Sequence, residues 1–234
     1  MPSHTSGRRL AAALLVTAAA LSACADTAKD ASSAPGSPVA EVDTAPSAFH
    51  GTLLDRPANR PELTLLDTAR QPFSLTRRPD DEVTVLFFGY THCPDVCPTT
   101  MADLAAARRQ LPPDVREQVT VAFVTEDPQR DTPVALRQWL DQFDTSFVGL
   151  QGGNESTQAA LAELHLPQTE QLRGPDAVIE HPNSGQGHHD HGDYAVEHTG
   201  IVYAFGPGDS TVIYTGGTSP VHYAEDFTRL AESA

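Results

Sequence analysis

The chain has 234 residues, 39% hydrophobic and 20% charged, the proportions of a soluble globular protein with room for one domain and extensions. Its formal net charge is -16, and two of its 15 basic residues, Arg8 and Arg9, fall in a leader segment that holds no acidic residue, so 13 basic residues face 31 acidic ones thereafter, a net of -18. Such a surface repels phosphate backbones and argues against nucleic acid as a partner; it suits basic proteins or cations, although solubility alone would explain it.

The leader reads "GRRLAAALLVTAAALSAC". A short basic region at Arg8 and Arg9 precedes an apolar run from Leu10 to Leu21, too short to span a bilayer comfortably. The run ends in "LSAC", Leu21 to Cys24, which resembles a bacterial lipobox. On that reading residues 1–23 are a lipoprotein signal peptide, Cys24 becomes the lipidated first residue, and the protein sits on the extracytoplasmic face of the cell membrane. The Arg pair leaves Sec and twin-arginine export both open. Residues 24–48, rich in Ala, Ser and Pro without a periodic apolar face, read as a tether.

From residue 49 to 234 the pattern is that of one folded domain. "GTLL" and "ELTLLDTARQPFSL" predict short strands around a turn, an N-terminal β-hairpin. "EVTVLFFGY", 82–90, is nearly continuous apolar, as in a central strand covered on both faces. Helical spacing follows from Pro98, then a second buried strand at "QVTVAFVT", 118–125. "DTPVALRQWLDQF" opens with Asp131 or Thr132 as a cap and Pro133 near the first helical position. "SFVGL" reads as a strand, "NESTQAALAELHL" as a helix capped by Asn154, and residues 167–193, polar and rich in Gly and Pro, as a loop insertion. A hairpin turning at Gly206 to Asp209 and a helix over "SPVHYAEDFTRLAES" close the chain. The order β-α-β-α-(β-α)-β-β-α is that of thioredoxin-like folds: an α/β mixed sheet flanked by helices, here with an extra N-terminal hairpin.

Three cysteines are present, and Cys24 is assigned to the anchor. Cys93 and Cys97 remain, in "FFGYTHCPDVCPTT", at the junction of the central strand and the next helix. Thioredoxin-type enzymes place a C-x-x-C pair there, with a nucleophile stabilised by the helix N-terminus. The longer C-x-x-x-C spacing still permits a disulfide, stapling or catalytic, because i and i+4 are neighbours on a helix. It also lets both sulfurs face a shared ion: thiolates favour Cu(I) or zinc, and an added imidazole extends the choice to Cu(II).

Ten histidines offer a third ligand. His50, His165 and His222 sit singly in turn or helix positions, where surface or satisfied-core roles explain them; His92 adjoins Cys93 and tunes the site without sharing its ion. His198 precedes the terminal hairpin, whose entry faces the cysteine loop in a thioredoxin-like sheet; redox enzymes of that fold keep a cis-proline there, and the nearest prolines are Pro182 and Pro207. "HPNSGQGHHDHGD" clusters His181, His188, His189 and His191, either an exposed second metal site or a solvated insertion that binds ions adventitiously.

"FFGYTHCPDVCPTTMADL", "FVTEDPQRDTP" and "VEHTGIVYAF" resemble, in order and spacing, the Sco/SenC family of copper chaperones over roughly residues 48–232. The resemblance implies a copper ion, Cu(I) or Cu(II), held by Cys93, Cys97 and His198. It further implies delivery to the CuA site of cytochrome c oxidase, with the copper-bearing subunit of that oxidase and other copper chaperones as partners. Glu197-His198-Thr199 departs mildly from the family's usual Asp-His-Ser. "DPQRDTP" is also shared, but a strand-end turn and helix cap account for it. The rival expectation is a thiol-disulfide oxidoreductase that reduces the oxidase copper-site cysteines, with Cys93 and Cys97 catalytic.

Overall fold

The structure is a computed structural model and describes residues 48–233 apart from 57, 59, 63, 80, 174–193 and 198. The leader, Cys24, most of the tether and all four clustered histidines lie outside the described residues, as does His198. In chain order the elements are β1 (Thr52–Leu53), β2 (Thr64–Asp67), β3 (Pro72–Ser74), β4 (Val83–Gly89), α1 (Val96–Gln110), α2 (Pro113–Gln118), β5 (Val119–Thr125), α3 (Pro133–Leu140), β6 (Val148–Gln151), α4 (Gly153–Glu163), β7 (Glu170–Arg173), β8 (Tyr194–Glu197), β9 (Val202–Phe205), β10 (Thr211–Tyr214) and α5 (Pro220–Ala231).

β4 organises the domain because its side chains alternate between two apolar layers. Val83, Val85 and Phe87 enter one cluster with Met101, Leu104, Leu136, Leu140, Phe227 and Leu230, from α1, α3 and α5. Leu86 and Phe88 enter the other, with Ala160 and Leu161 of α4. A strand buried on both faces needs no polar alternation, which is why its sequence reads as one apolar run. β5 pairs parallel to β4, from Val83↔Val119 to Gly89↔Thr125, and β6 continues the parallel set. On the other side β9 runs antiparallel to β4, pairing Thr84 with Phe205. The sheet order is β1-β10-β9-β4-β5-β6-β2-β3.

Local chemistry fixes the ends. Thr132, not Asp131, caps α3, its hydroxyl accepting from the Ala135 amide at 3.2 Å, with Pro133 first in the helix. Ser219 caps α5 in the same way through the His222 amide, at 3.3 Å. The β9–β10 turn contains Gly208 at φ 61, a left-handed conformation that costs glycine little. The expected N-terminal hairpin is β2–β3, with Leu65 opposite Phe73. "GTLL" is separate from it: β1 pairs with β10 instead. There the buried Asp226 carboxylate of α5 accepts the His50 and Gly51 amides at 3.0 and 2.9 Å and the Tyr214 hydroxyl at 3.2 Å, tying the start of the domain to its last helix.

Three details differ from the sequence reading. The six-residue helix α2 was not expected; Pro112 and Pro113 start it. α4 begins at Gly153 with Gly152 in the cap position, so Asn154 lies inside the first turn instead of capping it. The segment read as a loop from residue 167 opens with a strand, β7, which pairs antiparallel with β8 in a two-stranded ribbon.

Candidate metal centre

Cys93 and Cys97 lie at the C-terminal end of β4, where the chain turns into α1, and no disulfide joins them. Cys93 is 7% exposed and Cys97 0%. The turn is closed by the Cys93 amide donating to the Tyr90 carbonyl at 3.2 Å. Cys93 Sγ in turn accepts the Cys97 amide at 3.3 Å, satisfying one of the first-turn amides that a helix leaves open. The helix N-terminus favours a thiolate at Cys97, but burial outweighs it. Desolvation pushes the Cys97 thiol well above its ordinary value, the Cys93 sulfur and Glu126 add to this, and a backbone hydrogen bond from Tyr90 opposes it only in part. The site holds two sulfurs in one turn, shielded from water, and the Cys97 thiol keeps its proton until something replaces it.

β4 ends on Gly89 for a steric reason: a Cβ there would lie 2.5 Å from Cys97 Sγ. Behind the cysteine turn stands a polar layer built from "DPQRDTP". Asp131, 0% exposed, accepts the Thr91 amide at 3.0 Å, the Thr91 hydroxyl at 2.5 Å and the Thr125 hydroxyl at 2.6 Å. Asp127, equally buried, accepts the Tyr194 hydroxyl at 2.7 Å and pairs with Arg130. Arg130 also donates to the Tyr194 carbonyl at 3.0 Å, and its guanidinium lies 3.9 Å from the Tyr194 ring centroid and 5.9 Å from that of Tyr90. These groups pin the start of β8 and the residues before Cys93 to the same loop. The turn-and-cap reading of this motif missed that role. The available signal was two carboxylates and an arginine just past the end of a buried strand, where charge is seldom placed without partners.

Two described residues, one in β8 and one just before β9, approach the segment that carries the cysteines. The Val196 backbone hydrogen-bonds the Tyr90 hydroxyl, whose acidity burial suppresses. Gly200, at φ 64, comes so close to Val96 that a Cβ there would sit 2.9 Å from Val96 Cγ1. His198 itself is not described, but the residues two before and two after it both contact the segment that carries Cys93 and Cys97. No proline lies between Pro182 and Pro207 in the sequence, so none leads directly into β9. Among the described residues no set of three His, Cys, Asp or Glu side chains is arranged to hold a metal ion. His50 and His222, read as isolated, in fact stack at 3.9 Å with rings 8° apart, and His50 Nε2 meets Glu225 at 2.6 Å. Parallel rings aim their lone pairs in parallel, so the two imidazoles do not converge on one ion.

Fold and site together define a thioredoxin-like protein with a buried dithiol turn where that fold carries its reactive pair. Residues 53–232 match the SCO1/SenC family, and the chain belongs to that family. It is 37% identical over 158 residues to a "Putative copper-binding protein" of Stutzerimonas stutzeri, covering 68% of this chain and 69% of that one. Apo Sco1 from Thermus thermophilus superposes with a TM-score of 0.56 at 31% identity, over 81% of this chain and 98% of the other. Copper-bound ScoI from Bradyrhizobium japonicum, at 24% identity, shares the fold with a TM-score of 0.55 over 77% and 98%. The mitochondrial SCO1 homologues of Arabidopsis thaliana and Homo sapiens match at 27% and 30% identity over 66% and 62% of this chain, which spans only 44% and 46% of their lengths.

Proposed function

We propose that this protein binds copper through Cys93, Cys97 and His198 and delivers it to the CuA site of cytochrome c oxidase during assembly of that enzyme. The observation that carries the proposal is the buried dithiol turn at the end of β4. Two thiolates and an imidazole make a three-coordinate Cu(I) set, and an added ligand accommodates Cu(II). Copper is cargo here, gained and surrendered by ligand exchange. The C-x-x-x-C spacing and the lack of a proline just before β9 favour metal over the oxidoreductase alternative. A relative bearing a copper-binding name, over about two thirds of both chains, supports the same reading.

Lipidation at Cys24 would hold the domain on the extracytoplasmic membrane face, with residues 25–48 setting its reach to a membrane-embedded partner. Among the described residues no helix is long and apolar enough to cross a membrane. His181, His188, His189 and His191 would supply a weaker, exposed capture site for Cu(II) or zinc.

The test is a titration of reduced residues 25–234 with Cu(I) and Cu(II), beside Cys93→Ala and His198→Ala. One tight equivalent in the wild type, with thiolate-to-copper charge transfer in the Cu(II) form and loss in both variants, is the expected result. A wild type that binds no copper while its cysteines cycle with a dithiol would make the protein a redox catalyst instead.

A further inference from the structure

His92 is the exposed residue beside a nearly closed site. Its side chain is 49% exposed, whereas Cys93 is 7% exposed and Cys97 0%. Of these neighbouring donors the imidazole is the one open to solvent. What makes this imidazole more than a surface histidine is the polarity of the hydrogen bonds behind it.

Thr91 Oγ1 donates its only proton to Asp131 Oδ1 at 2.5 Å. The contact of 3.1 Å between Thr91 Oγ1 and His92 Nδ1 must then run the other way, with the ring nitrogen donating. Asp131 Oδ1, 3.8 Å from the same nitrogen, favours that direction too. Asp131 cannot turn away, because it also accepts the Thr91 amide and the Thr125 hydroxyl from the adjacent strand end. The chain His92 Nδ1–H to Thr91 O–H to Asp131 thus places the ring proton on Nδ1 and leaves the Nε2 lone pair outside that chain of hydrogen bonds. A carboxylate behind one imidazole nitrogen, here through the Thr91 hydroxyl, is the arrangement that orients metal-binding histidines.

We propose, taking Cys93 and Cys97 as carriers of copper, that His92 Nε2 is a transient entry and exit ligand for Cu(I), with Thr91 and Asp131 as its positioning residues. On loading, the Nε2–Cu bond forms as a bond from copper to the donor's ligand breaks. It breaks in turn when Cys93 Sγ, releasing its proton to water, takes the ion inward. Copper keeps its oxidation state throughout, and His92 ends as it began. Unloading runs the same exchange in reverse. Adjacent side chains in one turn do not readily share an ion, so His92 and Cys93 act in sequence; His92 changes how fast copper moves and not how tightly it rests.

Two measurements on the full chain in detergent micelles test this. Nitrogen-15 spectra of the apo protein should show His92 as the Nδ1–H tautomer, shifting toward a mixture in Thr91→Val. Stopped-flow transfer of Cu(I) from the loaded protein to bicinchoninate, and back, should be at least tenfold slower in His92→Ala, with the equilibrium constant within twofold of wild type. Millimolar imidazole should restore much of that rate, which a merely structural role for the ring would not allow. An Nε2–H tautomer, a wild-type rate in His92→Ala, or a slower rate that imidazole leaves unchanged would each overturn the relay. A wild type that loads no Cu(I) would instead overturn the copper reading and the relay with it.

Discussion

Replacing Gly89 by alanine tests how tightly the fold holds the second sulfur. The added Cβ would lie 2.5 Å from Cys97 Sγ and 3.1 Å from Phe123 Cε2, where ordinary contacts run 3.4–4 Å. The shortfall against the sulfur is therefore about 1 Å. The Gly89 backbone is regular parallel strand, paired with Thr125, so the whole conflict is steric. Phe123 is fully buried within the same cluster, so the Cys97 side chain, one torsion long, is the part that gives way. Overpacking of this kind costs about 1–3 kcal/mol. The larger consequence is for copper, since ligand distances in a working metal site hold to about 0.2 Å and the sulfur would be displaced several times that. Gly89→Ala should fold with a lowered urea midpoint and bind Cu(I) at least tenfold more weakly, about 1.4 kcal/mol, in competition with a colorimetric chelator. Unchanged affinity would refute the reasoning: either the sulfur has room to move or its position does not set binding.

Three further outcomes are expected. Asp226→Ala should lower stability by about 3 kcal/mol in urea denaturation and speed amide exchange at His50 and Gly51, because two amides and the Tyr214 hydroxyl lose one buried acceptor. The apo protein should lose stability as pH rises above about 9: the folded state retains the Cys97 proton and that of Tyr223, raised by burial to about 12, while the unfolded chain releases both, so the stabilisation is complete below that pH and declines above it. A urea midpoint that stays level from about pH 8 to 11 would contradict this. Copper loading must expel the Cys97 proton, so Cu(I) affinity should rise about tenfold per pH unit for each proton released; calorimetry in buffers of different ionisation enthalpy counts those protons, and a count of zero would contradict the assignment.

Much of the architecture was legible in the chain because its signals are local. The apolar run of β4, the Pro133 and Pro220 helix starts and the Gly206–Asp209 turn each specify their own conformation over a few residues. Cys93 and Cys97 could be placed at a strand-to-helix junction for the same reason. What the sequence could not state is what depends on partners distant along the chain. "EQLR" has no strand signature, and becomes β7 only because Tyr194–Glu197 lies alongside it. The hydrogen bonds of Asp131 were equally hidden. Next to Thr132 and Pro133 it reads as a helix cap, yet its carboxylate is turned toward Thr91, forty residues earlier, because β4 and β5 end side by side and bring those loops together. Composition and spacing determined that two cysteines would share a turn. The tertiary structure decided that they would be buried, that Gly89 would crowd one of them, and that an exposed imidazole beside the other would be backed by a carboxylate, since burial and hydrogen-bond direction arise only when separate segments pack.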